Sequence, residues 1–133
     1  DLCNETCWRA RYEHIAAFEA MLAGEGTTIR KFFLHISKDE QRKRLQERID
    51  DPKKRWKWSS RDLDERRRWD DYQLAYEDAL TATSTAAAPW YVIPADRNWF
   101  RDLAVSEILV ETLEAMQLRM PPGDPGIAGL QVT

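Results

Sequence analysis

The segment 31–59, KFFLHISKDEQRKRLQERIDDPKKRWKWS, constrains the fold of this chain more than any other. Its first residues are apolar on both faces of an extended chain, which is typical of a buried parallel strand. Ser37 then begins a helix over 37–50, with Glu40 three residues later in the pattern of a capping box. A turn at Asp51 and Pro52 leads into a basic, aromatic segment. A strand, a helix and a cationic loop in this order predict a mobile cover over a polyanion.

Hydrophobic periodicity predicts the remaining elements of an α/β domain. Apolar residues three and four positions apart predict helices over 5–23, 60–81 and 98–118, and short apolar runs predict a first strand over 28–36 and a second over 90–95. Because helices separate the two strands, the strands are expected to be parallel in an α/β sheet. Two strands are too few for such a sheet, so we infer that one side of it pairs with strands that are not present here.

The charge distribution points to one anionic ligand held at one place. Residues 42–57 contain eight basic and three acidic side chains, a net charge of +5, whereas the whole chain carries −3, which leaves −8 elsewhere. A cationic patch on an acidic body favours a localised anion. A protein that coats nucleic acid would be expected to be basic throughout. At 133 residues the chain is one domain at most.

The cysteines and the hydropathy pattern bear on the compartment. Cys3 and Cys7 lie four residues apart on a predicted helix, and we interpret them as free thiols in a reducing compartment. A metal site that includes His14 would need a fourth ligand. No apolar run is long enough to cross a bilayer, and no signal peptide is evident. We therefore predict a cytoplasmic protein that does not enter a membrane.

Two arginines on one helix face are candidates for phosphate binding. Arg44 and Arg48 are four residues apart and therefore project from the same side of the helix. Two guanidinium groups there could grip successive phosphates through forked hydrogen bonds. The alternative is a solvated surface on which Arg44 pairs with Glu40 or Glu47.

The loop 53–58, KKRWKW, interleaves cations with indoles and has three interpretations. In a site for single-stranded nucleic acid, lysines contact phosphates and tryptophans stack on bases. In a lid, the tryptophans dock on the body of the protein while the lysines face a ligand. In a structural loop, the indoles serve only as anchors. The motif by itself does not choose among them.

Polar side chains follow both predicted strands. Asp96 comes directly after the second strand and Ser37 after the first. Ligands of doubly wound folds bind beyond the carboxyl ends of the strands, so both residues could border a pocket, although helix capping is the alternative for each. His35, within the first strand, is predicted to be a packed core residue. The neighbours Asp70 and Asp71 point in different directions on a helix, which favours salt bridges with nearby arginines over a catalytic pair.

Irregularly spaced residues along most of the chain resemble the second family of polyphosphate kinases. The resemblance extends from about Trp8 to Pro121, and RYEHIAAFE and KFFLHISKDEQ look most like the branch that accepts both nucleoside mono- and diphosphates. Its most specific positions are Ser37, Glu40, Gln41, Arg44, Arg48, Asp51, Pro52, Lys54, Trp56, Lys57, Ser59, Trp69, Asp70, Asp71, Tyr72, Thr83, Thr85, Pro89, Trp90 and Asp96.

The resemblance implies a fold and a function. Residues 1–121 would be the carboxy-terminal part of a three-layer P-loop kinase core with a parallel sheet and a helical lid over about 39–72, followed by a flexible tail over 122–133. Such enzymes transfer a phosphoryl group between inorganic polyphosphate and AMP- or ADP-type nucleotides, with Mg²⁺ as cofactor. We expect the intact enzyme to be a homo-oligomer.

The resemblance also implies roles for single residues. Arg44 and Arg48 would be catalytic lid cations, Lys54 and Lys57 would join them in binding polyphosphate, and Asp96 would border the nucleotide. The phosphate loop and the metal-binding aspartate lie upstream in that family, and no segment of this sequence matches them. We therefore expect the Mg²⁺ ligands outside this sequence, assign no metal ligand within it, and expect this chain alone to be inactive.

Other functions stay open at this point. A kinase of the same fold could use a nucleoside triphosphate as its donor, and a swap of ATP for polyphosphate would distinguish the two. A non-catalytic nucleic-acid binding module could be built on KKRWKW, although the acidic remainder of the chain makes this less expected. The chain could also be a stable fragment without activity.

Overall fold

The computed structural model describes residues 4–123, 126, 129 and 131. A short 3₁₀ turn, Arg55–Lys57, separates the second and third helices. The elements in chain order are α1 (Glu5–Gly24), β1 (Lys31–His35), α2 (Lys38–Asp50), α3 (Arg61–Arg67), α4 (Trp69–Thr83), β2 (Trp90–Pro94) and α5 (Asn98–Ala115). This order confirms the predicted α/β class.

The two strands pair in parallel, as predicted. Lys31 lies opposite Trp90 and His35 lies opposite Pro94. The pairing continues just past the strands, where the Ala95 N–H donates to the carbonyl of His35 at 2.7 Å. Within the part of the chain that the structure describes, the sheet contains β1 and β2 alone, so one edge of each strand is unpaired. The first strand is shorter than the predicted 28–36.

A part-buried ion pair ties the amino ends of the strands to two helices. The Lys31 Nζ donates to Glu19 Oε2 of α1 at 2.6 Å and to the carbonyl of Thr83 at the end of α4 at 2.7 Å. The Thr83 hydroxyl in turn accepts from Trp90 Nε1 at 2.8 Å. These bonds connect α1, β1, α4 and β2 at one end of the sheet, away from the carboxyl ends of the strands.

The core is small for a chain of this length. Among the described residues, the buried apolar side chains are Ala88, Ile93 and Ala95. Phe33 packs on Tyr76 of α4, with ring centroids 4.9 Å apart. Many large apolar side chains stay exposed, among them Phe18, Met21, Val92, Trp99, Leu103, Val110 and Leu113. Much apolar surface of both helices and strands is therefore available to further protein.

The predicted helix over 60–81 is wrong in one respect, because it is two helices. Arg68 leaves the helical conformation, at φ −93° and ψ 23°, between α3 and α4. The Tyr72 hydroxyl donates to the Glu65 carboxylate across this break, and that hydrogen bond raises the pKa of Tyr72. Arg68 also pairs with Asp71 at 3.5 Å, which confirms the predicted salt bridge for Asp71. The last helix ends at Ala115, shortly before Gln117 takes a positive φ of 47°.

Three predictions about the ends and the compartment have different outcomes. Cys7 is disulfide-bonded, so the prediction of a free thiol at that position is wrong, and Cys3 lies outside the described residues. Most of the predicted flexible tail, 122–133, also lies outside them, and its flexibility stays a prediction. No described helix is long and apolar enough to cross a membrane.

Candidate functional site

The start of α2 is held at the carboxyl end of β2. The Ser37 hydroxyl oxygen accepts from the Glu40 N–H at 3.1 Å, which confirms Ser37 as the helix cap. The reciprocal bond of a capping box is made by another residue, because the Ser37 N–H donates to Asp96 Oδ1 at 2.7 Å. The Ser37 N–H, the Ser37 hydroxyl and then the charges of Arg44 and His35 lower the pKa of Asp96.

Arg44 faces the end of β2. Its Nε donates to Glu40 Oε1 at 2.8 Å, which is the ion pair expected from the alternative interpretation of this helix. Its Nη2 donates to the carbonyl of Ala95 at 2.8 Å and approaches that of Asp96 at 3.5 Å. Polyphosphate could bind Arg44 only by sharing or replacing these hydrogen bonds of the guanidinium group. The contact between Arg44 and polyphosphate stays a prediction.

Helices α2 and α3 form an antiparallel helical hairpin over 38–67. Arg66 of α3 donates from Nη1 to the carbonyl of Lys38 at 2.6 Å and to Gln41 Oε1 at 2.9 Å, near the start of α2. Toward the other end, the Arg48 Nη1 lies 3.9 Å from Asp62 Oδ2. The hairpin is thus held by contacts between its two helices, and no sequence pattern pointed to this role of Arg66.

Arg48 is more open than Arg44, although both project from one face of α2. The Arg48 side chain is 40% exposed, and its distance to Asp62 is longer than that of a direct hydrogen bond. Exposed ion pairs of this length contribute little to stability, so an incoming phosphate can compete for the guanidinium group. Of the two predicted catalytic arginines, Arg48 is therefore the one that is available to a ligand.

The basic loop at the tip of the hairpin is partly anchored. Arg55 donates from Nε to the carbonyl of Ile49 at 2.8 Å and so satisfies the end of α2. Trp58 is half-buried, whereas Trp56 is 79% exposed, with the Lys57 Nζ 5.1 Å from its ring centroid. Only one of the two indoles therefore serves as an anchor.

Lys54 and Lys57 lie at the two ends of the same short turn. The Lys57 N–H donates to the carbonyl of Lys54 at 2.9 Å, so the backbones of the two lysines are adjacent. The Lys54 Nζ is 3.7 Å from Asp51 Oδ2, an exposed pair. The Lys54 side chain is 48% exposed, and Lys57 is exposed as well. Their predicted contact with polyphosphate stays a prediction.

An aromatic cleft of about 420 Å³ opens beneath the hairpin, beside the carboxyl end of β1. His35 is half-buried at this cleft, with its ring 5.8 Å from that of Phe33, so it borders open space as well as the core. The residues that line the cleft are Phe33, Leu34, His35, Ile36, Gln41, Glu65, Trp69, Tyr72, Gln73 and Tyr76. The position beyond a strand end is where ligands or further elements meet α/β sheets.

Metal ligands are not grouped in the described part of the chain. No three histidine, cysteine, aspartate or glutamate side chains lie close enough there to hold a metal ion. The carboxylates nearest to the candidate cations are used by them, as Asp62 is by Arg48 and Asp51 is by Lys54. The expectation that Mg²⁺ takes part therefore depends on residues other than these.

Residues 1–121 match the family model described as polyphosphate kinase 2. The chain belongs to the polyphosphate kinase 2 family. It is 62% identical over 121 residues to the AMP/ADP-polyphosphate phosphotransferase of Meiothermus ruber, a match that covers 91% of this chain and 45% of that protein. It is 49% identical over 122 residues to the ADP-polyphosphate phosphotransferase of Rhodopseudomonas palustris, covering 92% of this chain and 42% of that one.

The fold agrees with that of a polyphosphate kinase 2 whose structure is solved. The crystal structure of polyphosphate kinase 2 from Arthrobacter aurescens TC1 superposes with a TM-score of 0.84 at 50% identity, over 90% of this chain and 43% of that one. This agreement confirms the predicted α/β fold as part of a P-loop kinase fold. The chain spans less than half the length of each of these three relatives.

Proposed function

We propose that this chain acts as part of a polyphosphate-dependent nucleotide phosphotransferase. Its substrates would be inorganic polyphosphate and nucleoside mono- or diphosphates. One observation carries the proposal. This chain is 62% identical, over 121 residues, to a relative named AMP/ADP-polyphosphate phosphotransferase. The names of more distant relatives, which include a polyphosphate:AMP phosphotransferase from Pseudomonas syringae, support the same chemistry.

The helical hairpin would serve as the lid over the polyphosphate. Residues 42–57 carry a net charge of +5 on a chain whose overall charge is −3. A linear polyanion that binds such a segment releases counterions, as a nucleic-acid backbone does. We assign the contacts to Arg48, Lys54 and Lys57, and a shared contact to Arg44. Closure of the lid would exclude water and so strengthen each of these charge interactions.

The remaining catalytic parts would lie outside this sequence. Phosphoryl transfer needs a phosphate-binding loop and, through Mg²⁺, neutralisation of charge on the transferred group. We propose that further strands pair beside the two described here, and the unpaired strand edges and exposed apolar side chains support this proposal. This chain alone would then be inactive, and the intact enzyme would be a cytoplasmic homo-oligomer in which Asp96 borders the nucleotide.

The test compares donors and arginine variants in the intact enzyme. With ADP as acceptor, polyphosphate should support turnover. In a second assay with AMP as acceptor, ATP should not replace polyphosphate as the donor. Arg48→Ala should lower kcat by about 100-fold or more, because a positively charged contact to the transition state is removed. Arg42→Ala is the matched control, since this exposed arginine lies two residues before Arg44 and projects from nearly the opposite side of α2.

Two outcomes would count against the proposal. Equal activity with ATP as donor would favour a nucleoside-triphosphate-dependent kinase of the same fold. Unchanged turnover of Arg48→Ala at saturating polyphosphate would remove the lid assignment, even if polyphosphate is the donor. The far-ultraviolet circular dichroism of Arg48→Ala and of Arg42→Ala should match that of the unsubstituted enzyme.

A nucleic-acid binding module is the second candidate, and the exposed Trp56 beside Lys57 is what keeps it open. An exposed indole next to a lysine can stack on a base while the ammonium group contacts a phosphate. A gel shift with a single-stranded oligonucleotide would detect such binding. If short polyphosphate fails to compete at equal phosphate concentration, the nucleic-acid function is favoured.

A further inference from the structure

Two contacts attach α2 to a single dipeptide after β2. Asp96 accepts the N–H of Ser37 at 2.7 Å, although the two residues are separated by 59 positions in the chain. Arg44 donates to the carbonyl of Ala95 at 2.8 Å and approaches the carbonyl of Asp96 at 3.5 Å. Ser37 and Arg44 are seven residues apart, which is two helical turns, or about 10 Å along the axis.

Packing alone does not determine the direction of α2. None of its residues is buried. A helix attached to the sheet only at its first residue could pivot about that point together with α3, because the contacts between α2 and α3 lie within the hairpin. A second attachment two turns away removes this freedom. Glu40 contributes by holding the Arg44 Nε at 2.8 Å, which keeps the guanidinium group turned toward the strand end.

We propose that Asp96 and Arg44 form a clasp that orients α2 on the sheet and thereby positions Arg48 over the polyphosphate. Arg48 lies one turn beyond Arg44 on the same face, so the direction of the helix determines where its guanidinium group lies. Both members of the clasp are positioning residues here. The effect on Arg48 rests on the proposed function, whereas the orientation of α2 can be tested without it.

The orientation is tested by a distance between two helices in the protein. Nitroxide labels are introduced as unnatural amino acids at Gln46 of α2 and Glu107 of α5, both exposed, so that Cys7 is untouched. Pulsed electron paramagnetic resonance should give a single narrow distance distribution. Asp96→Ala and Arg44→Ala should each lose that single peak, because each removes one of the two attachments. Asp96→Asn retains an Oδ1 acceptor for the Ser37 N–H and should keep it.

The result that overturns the clasp is a distribution that stays single and narrow in both alanine variants. Arg44→Ala leaves the Ser37 cap of α2 intact, so it remains informative if Asp96→Ala fails to fold. Loss of the peak in Asp96→Asn as well as in Asp96→Ala would also contradict the assignment, because the conservative variant should rescue a hydrogen bond to a carbonyl oxygen.

An activity measurement in the intact enzyme connects the clasp to Arg48. Asp96→Ala should lower kcat with polyphosphate, and Asp96→Asn should recover most of it. In the Arg48→Ala background and at saturating nucleotide, where a nucleotide contact of Asp96 would change KM and not kcat, Asp96→Ala should have no further effect on kcat, since the residue that the clasp positions is already absent. If Arg48→Ala itself has no effect, the lid assignment of Arg48 fails, while the distance measurement still decides whether the clasp orients α2. A full additional loss in the double variant would overturn the link to Arg48.

Discussion

Breaking the largely buried pair between Lys31 and Glu19 should destabilise the protein far more than breaking an exposed pair of equal length. Both side chains are 12% exposed, and the ammonium group also donates to the Thr83 carbonyl. Glu19→Gln keeps the shape of the side chain but leaves the Lys31 ammonium group without an anionic partner in a poorly solvated position. Complete burial would make such a loss worth about 3–5 kcal/mol, and the residual exposure favours the lower end, about 3 kcal/mol. That value is about a 100-fold change in the folding equilibrium.

The matched control is the pair between Arg67 and Asp64, which has the same 2.6 Å separation. Its side chains are 76% and 69% exposed, so water already solvates both charges. Asp64→Asn should therefore cost no more than about 1 kcal/mol. Urea unfolding followed by circular dichroism gives both free energies. If the two variants lose equal stability, or Glu19→Gln loses less than Asp64→Asn, burial is not what gives the inner pair its strength.

Three further predictions concern the hairpin and its attachment. Because hydrogen bonds from Ser37 lower the pKa of Asp96, the protection of α2 amides against hydrogen exchange should be constant above the ordinary carboxylate pKa and should decrease as the pH falls through the lowered pKa of Asp96; Asp96→Asn should remove this pH dependence, and an unchanged profile in that variant would contradict it. Raising the salt concentration should weaken polyphosphate binding by the intact enzyme, and isothermal titration should show a log–log slope smaller by about one unit in Arg48→Ala. Trp56→Ala should change the free energy of unfolding by less than about 0.5 kcal/mol, whereas Trp58→Ala should cost about 2 kcal/mol, and equal costs would be evidence against the different burial of the two indoles.

Local patterns were sufficient to predict most elements of this fold. The 3.6-residue periodicity located α1 within one residue of its observed ends, and the cap at Ser37 located the start of α2. Parallel pairing followed from the alternation of strands and helices. The break at Arg68 escaped prediction because no glycine or proline lies near it, and the observed hydrogen bond between Tyr72 and Glu65 spans it without local sequence signal.

Contacts between distant positions were beyond the reach of the sequence. The pattern around Ser37 predicted that Glu40 would close the capping box, whereas Asp96 does so from the end of another strand. Glu40 then becomes the partner of Arg44, and Arg66 joins α3 to α2 across 25 positions through Gln41. Helical spacing places Arg44 and Arg48 on one face of α2. It does not indicate which of the two arginines will donate a hydrogen bond to the distant carbonyl of Ala95.

Pro94 makes the two outer edges of the sheet unequal. Because the Ala95 N–H is directed at the His35 carbonyl of β1, the nitrogen of the preceding residue, Pro94, points to the outer side of β2. Proline has no hydrogen to donate there, so a strand arriving on that side would meet a gap in the ladder. The outer positions of β1 are Phe32 and Leu34, which retain their amide hydrogens. If strands are added to this sheet, we therefore expect them beside β1, with β2 at the edge.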